Sequence, residues 1–289
     1  MNPAAIMALA SSLCFGMALV TSRIGLRTLD ARSGAAISIP TAALLLALAA
    51  PYALDATGFN LRAALCFAAL GLFFPALVTL LTFRSNLALG PTITGAVSGT
   101  APLFALLAAG ALLGERIAAQ SAIACVAVVA GVALLSYKRG ALHAGFRARL
   151  LLWPLCGAVV RGLAQAGAKA ALMLWPNPFA ASLIGYMVSS ATVIGTHHLG
   201  RARRPRLTTH GAAWFALTGV LNGAAVLIMY AALNIAPVAL VAPIVATYPL
   251  VTALVSALVL REERLTMRML AGVGITVSAV ATLVAAKTV

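Results

Sequence analysis

The chain has 289 residues, 63% of them hydrophobic and 9% charged, with a mean hydropathy of +1.05; soluble domains carry about a quarter charged residues. This composition excludes a water-soluble globular protein, and the long apolar runs exclude a β-barrel, whose strands show short alternating segments. The formal net charge of +15 does not indicate nucleic acid, because the basic residues fall mostly in breaks between apolar runs, with no basic, aromatic-interleaved polar surface.

A spanning helix needs about 20 apolar residues. Ten such segments are predicted, over 4–20, 35–54, 63–83, 92–113, 117–136, 150–174, 179–196, 211–233, 236–260 and 267–286. The first has no basic residue ahead of it and is followed by many equivalents, which marks a mature span rather than a signal peptide. Turn formers and charges occupy the breaks, among them "DATGFN", "WPNP" and "GRARRPR". Cys14, Cys66, Cys125 and Cys156 all lie inside apolar segments without metal-site spacing, and read as small packing residues.

The longest polar break, a basic loop over 137–149, divides the chain into halves of five spans each, 1–136 and 150–289. Moving the second half back by 147 positions lays "TYPLVTALVSALVLRE" (247–262) on "TAPLFALLAAGALLGE" (100–115). Thr, Pro, three Leu and Glu coincide. With an odd number of spans per half, the second copy enters the membrane in the opposite sense, giving a pseudo-two-fold axis in the membrane plane. The expected fold is therefore an all-α polytopic membrane protein with ten transmembrane helices as two inverted five-helix repeats.

Each half ends in a "P…L…E" helix, a tight turn and a Gly-containing last helix, "VAGVALL" around Gly131 and "GITVSAV" after Gly272. Together with the opening "SLCFGMALVTSRIGL", this resembles the EamA-type permeases of the drug/metabolite transporter superfamily, although Phe15 stands where that family often has Trp. The resemblance covers nearly the whole chain. It implies a central cavity between the halves and transport of small metabolites; it transfers no individual binding residue.

Fifteen Lys and Arg fall in the breaks after spans one, three, five, seven and nine, and three on the other side. The positive-inside rule then puts both termini outside, in what reads as a bacterial inner membrane. Relatives of this type are often drawn with both termini inside, so the tally and the family expectation disagree.

All five acidic residues, Asp30, Asp55, Glu115, Glu262 and Glu263, fall at predicted interfaces. This disfavours carboxylate-based proton exchange at mid-membrane. Glu115 and Glu262, matched between the halves, read as turn and register residues. No His has a partner at metal-ligand spacing, and no phosphate loop, nucleophile elbow or acid–base pair occurs. Neither an enzyme nor an ATP-driven pump is indicated, and no metal or cofactor.

The candidate binding residues are polar groups inside apolar spans. Arg161, Gln165 and Lys169 follow at intervals of four on one side of the sixth span. An unpaired Arg near mid-membrane costs at least ~3 kcal/mol on insertion scales and by default marks a substrate path. Lys169 lies nearer the helix end, within reach of the interface by snorkelling. Asn222, Tyr230 and Asn234 form a second stripe on span eight, open to a cavity role or to helix–helix hydrogen bonding. Pro102 and Pro249, with Thr100, Thr247 and Tyr248, interrupt spans four and nine at corresponding places. Matched interruptions free backbone groups near the midplane, though proline kinks also serve packing. The expected partners are a small-molecule substrate and the lipid bilayer, with the oligomeric state open. The function indicated is secondary transport of a small polar or anionic metabolite by alternating access; the alternative is a non-transporting membrane subunit or lipid-handling scaffold.

Overall fold

The computed structural model describes residues 2–115, 117–136, 148–199, 208–260 and 267–285. Among these the regular structure is helical throughout: α1 (Pro3–Gly25), α2 (Ala31–Ala53), α3 (Leu61–Phe73), α4 (Ala76–Ser98), α5 (Ala101–Leu113) and α6 (Ala119–Ser136) in the first half. After a 3₁₀ turn at Ala148–Leu151 come α7 (Leu152–Leu174), α8 (Pro178–Leu199), α9 (Thr209–Ile235), α10 (Val238–Val245), α11 (Tyr248–Val255), a π turn at Ser256–Leu260, and α12 (Met267–Ala285). Most of the connecting loop, the basic segment 200–207, and Glu262 and Glu263 lie outside the described residues.

Seven helical stretches among the described residues are long and apolar enough to cross a membrane, with Ala119–Gly131 a shorter apolar helix. One of the seven, Leu61–Leu113, runs for 53 residues. Straight, it would extend about 80 Å, more than twice the hydrocarbon thickness. It is instead broken at the cis Phe74–Pro75 bond, at Gly90, and at the Gly99–Thr100 turn. Gly90 has φ 80°, a conformation glycine adopts without steric cost. A polar break was expected between the segments at 63–83 and 92–113, but helix continues through Arg84 as far as Gly90. The polar letters there face inward: Ser85 Oγ bonds Thr94 Oγ1 at 2.9 Å, and Asn86 Nδ2 donates to the Leu19 carbonyl at 2.9 Å. Likewise α1 continues beyond the expected end at 20 and carries Arg23 in its last turn.

The two halves repeat each other in detail. Adding 147 to the first residue of α2, α4's second segment and α5 gives the first residues of α8, α10 and α11. Their caps match as well. Asp30 accepts the Ser33 N–H at 3.0 Å and Asn177 accepts the Ala180 N–H at 2.9 Å. Thr100 and Thr247 both precede a helix with Pro in its first turn, and each donates its hydroxyl to the carbonyl three residues back, Val97 at 2.7 Å and Ile244 at 2.8 Å.

Contacts between the halves are reciprocal. Helix α1 packs on α9 and α11, while α7 packs on α3, α4 and α5, and α6 pairs with α12. A two-fold relation produces such a pattern. The directions fit it. Ser11 bonds the Ala225 carbonyl and Thr21 bonds Thr218, so α1 runs antiparallel to α9. Gln165 contacts Met229 and Lys169 reaches Leu233, so α7 runs parallel to α9. Helices α1 and α7 therefore point in opposite directions.

Small residues allow the closest approaches, as in other apolar bundles. A Cβ on Gly162 would lie 2.7 Å from the Ala101 carbonyl oxygen, and one on Gly16 would lie 2.8 Å from that of Tyr248. Ala101 and Tyr248 are 147 apart, but Gly16 and Gly162 are 146 apart. One residue is therefore gained after helix one in the second half. With that offset the mate of Phe15 is Arg161, and the mate of Arg23 is Lys169.

Candidate functional site

Arg161 is the tenth of 23 residues in α7, about 14 Å along a helix about 34 Å long. It is only 8% exposed. Its guanidinium carbon lies 4.8 Å from the centre of the Phe15 ring, 5.6 Å from Tyr248 and 6.0 Å from Phe74. Those rings offer their faces to the cation, an attraction that strengthens when water is excluded. They accept no ordinary hydrogen bond, and Nε and Nη1 have no partner. Phe15 and Arg161 meet directly because they are mates under the repeat: corresponding residues of two halves touch only near the axis that relates them.

The arginine borders a small cavity with Phe15, Ser22, Phe83, Asn222 and Tyr248. Its volume is about 30 Å³, enough for a water or two and for no metabolite.

Gln165, one turn further along α7, is buried; its Nε2 contacts Met229 Sδ at 3.4 Å and its Oε1 is unpartnered. Tyr186 of α8, which sequence reading did not single out, is fully buried with its hydroxyl unpartnered. It lies within electrostatic reach of both Arg161 and Tyr230. Asn222 lines the cavity, and Tyr230 is buried two turns beyond it. Asn234 stands about 18 Å along α9 from Asn222, at the helix end, and does not join the cavity.

Lys169 does not snorkel. Its Nζ donates to the Leu233 carbonyl at 2.7 Å, whose usual helical donor four residues on is Pro237, which has no N–H. Thr247 bonds Ser12 across the halves at 2.9 Å, and Thr252, one turn on, donates to the Gly16 carbonyl at 3.3 Å. Thr100, the mate of Thr247, makes only the local bond to Val97. Pro102 and Pro249 lie in the first turns of α5 and α11, beside the close approaches of Gly162 to Ala101 and Gly16 to Tyr248. Glu115 caps the interrupted helix α10: its carboxylate oxygens accept the Val238 N–H at 3.1 Å and the Ala239 N–H at 3.4 Å. A carboxylate is favoured at a helix N-terminus, where the orphaned N–H groups point.

The description "EamA-like transporter family" is that of a family model which matches this chain twice, over 2–137 and 149–285. The chain belongs to the EamA-like transporter family. The two matches fall one on each half of the repeat, and membership makes this an integral membrane protein of a transporter family rather than an enzyme family. A solved structure titled "Crystal structure of protein" superposes on this EamA-like chain with a TM-score of 0.78, covering 96% of this chain and 95% of that one at 14% identity. At that identity the likeness speaks for the fold alone. No curated protein matches the sequence.

Proposed function

We propose that this EamA-like protein carries a small anionic metabolite across a bacterial inner membrane by alternating access, with Arg161 as the group that receives the cargo. The observation that supports this most directly is the pair of unpartnered N–H donors, Nε and Nη1. A buried donor without an acceptor costs about 1–3 kcal/mol, and a planar guanidinium matches a carboxylate or phosphate in bidentate fashion. Three rings flank the charge, so a cargo anion meets it in a largely apolar space where the pairing is stronger than in water. Ser22, Asn222 and Tyr248 line the cavity with Arg161, and Gln165 follows one turn along α7.

On this reading the chain crosses the bilayer ten times, Leu61–Leu113 contributing two crossings folded at Gly90. The repeats, 1–136 and 150–289, are inverted across the membrane and joined by 137–149. The opposed directions of α1 and α7 favour that arrangement. The basic breaks face the cytoplasm and both termini face outside; Arg23 and Arg84, although helical, remain at that end.

The test is thermal stabilisation of the detergent-purified protein by carboxylates, phosphates, neutral polar solutes and organic cations, with wild type and Arg161→Gln in parallel. An anionic class should stabilise the wild type and lose its effect in the variant. Equal stabilisation of both proteins would remove Arg161 from the binding site.

A further inference from the structure

We infer that Arg23 and Lys169 are mate latches, one at each end of the bundle, and that alternating access consists in releasing one while the other stays closed. The inference rests on the transport reading above. It begins from a coincidence of proline positions. Pro91 follows the first segment of α4 and Pro237 follows α9. Lacking an N–H, they leave the carbonyls of Leu87 and Leu233 without their helical donors. In the first half Arg23 Nη1 donates to the carbonyls of Asn86 at 2.9 Å and Leu87 at 3.3 Å; in the second Lys169 Nζ donates to that of Leu233 at 2.7 Å. Each basic residue thus comes from the first helix of its own half and fills an opened helix end in that half, that of α4's first segment or that of α9. A cation at a helix C-terminus is also favoured by the helix dipole.

Because α1 and α7 point in opposite directions, the two latches lie at opposite ends. Both sets of hydrogen bonds are made here, and the cavity beside Arg161 measures about 30 Å³. With both latches made neither end is released, and releasing either one opens its own end alone, which is the logic alternating access needs. In the protein at rest, the populations open to either side are set by the relative strength of the two latches. Weakening one raises its own open population and, by mass balance, lowers the other.

Amide hydrogen exchange in lipid nanodiscs, without ligand, reads both ends in one experiment. Arg23→Gln should speed exchange about tenfold in the segment 84–94, the scale of one charge-assisted hydrogen bond, and slow it in the segment 231–241. Lys169→Gln should do the reverse. Arg23→Lys, which keeps the charge and its donors on a compact ammonium without the planar guanidinium fork, should move the profile in the same direction as Arg23→Gln and by less. Either member of the pair is sufficient, so failure of one variant to fold leaves the other to decide. Faster exchange confined to the variant's own end, change in the same direction at both ends, or no change would overturn the latch reading. None of those outcomes touches the ligand-binding test of Arg161, which is measured separately.

Discussion

Replacing Arg161 with Met should make the protein more stable and less functional. Two donors of this guanidinium, Nε and Nη1, are buried without partners, a cost of about 1–3 kcal/mol each. Against this stand the three aromatic rings at 4.8, 5.6 and 6.0 Å, which return about 0.5–1 kcal/mol each, the two farther ones lying near the limit of the attraction. Met keeps the volume of the stem, packs softly against aromatic faces and has no donor to satisfy. The balance favours the variant by about 1–3 kcal/mol, a trade of stability against activity common at binding sites. Reversible unfolding of the purified protein in mixed micelles gives the stability, and ligand-induced thermal shift gives the function. A site kept for cargo predicts a higher midpoint and no anion response. If Arg161→Met is instead destabilised by more than about 1 kcal/mol, the arginine is a strut between helices and the reasoning fails.

Two further outcomes follow from the packing. Gly162→Ala would press a methyl group to 2.7 Å from the Ala101 carbonyl oxygen and the Ala105 nitrogen, and Gly16→Ala to 2.5 Å from Val251 Cβ and 2.8 Å from the Tyr248 carbonyl oxygen; each should cost about 1–3 kcal/mol, read as a lowered unfolding midpoint, with Gly162→Ala the worse because it meets two backbone atoms where Gly16 meets one and a side chain that can turn. Glu115→Ala removes the cap of α10 and should cost about 1–2 kcal/mol, with faster amide exchange at Val238 and Ala239, whereas Glu115→Gln should recover part of the loss.

The sequence carried the helices, the two halves and the interruptions at Thr100 and Thr247, because hydropathy and matched Pro and Glu positions are local signals. It also carried Arg161 and Gln165, since a polar side chain in an apolar run is conspicuous wherever the chain folds. Three features were less legible. The helical path through Arg84 to Gly90 reads as a break because its polar letters, Ser85 and Asn86, bond Thr94 and the Leu19 carbonyl inside the bundle rather than meeting water. Lys169 was assigned a reach toward the interface because nothing short of tertiary structure reveals that Leu233 offers it a carbonyl, although Pro237 four residues on is the clue. Tyr186 was missed because one tyrosine in "IGYMVSS" has no periodic partner, and its relation to Arg161 comes from α8 packing in three dimensions.

The remaining gap was a slip of one residue, and it hid the logic of the site. An offset of 147 sets Phe15 against Gly162 and Arg23 against Ala170; the true helix-one offset of 146 sets Phe15 against Arg161 and Arg23 against Lys169. Near a two-fold axis, identical residues from both halves are forced together. Two arginines there would repel, and two phenylalanines would leave nothing to hold an anion. One of each gives a cation resting on a ring, at the depth where both halves meet. Since both positions border the same space, and Tyr248 lies 6.2 Å from the Phe15 ring as well as near Arg161, the charge should serve from either side. Arg161→Phe alone should abolish the anion-induced thermal shift. Adding Phe15→Arg to it should restore the shift in part, a coupling of at least about 1.4 kcal/mol, or tenfold in affinity, between residues in contact. If the exchanged pair binds no better than Arg161→Phe alone, the cargo reads α7 in particular and the axis has no part in recognition.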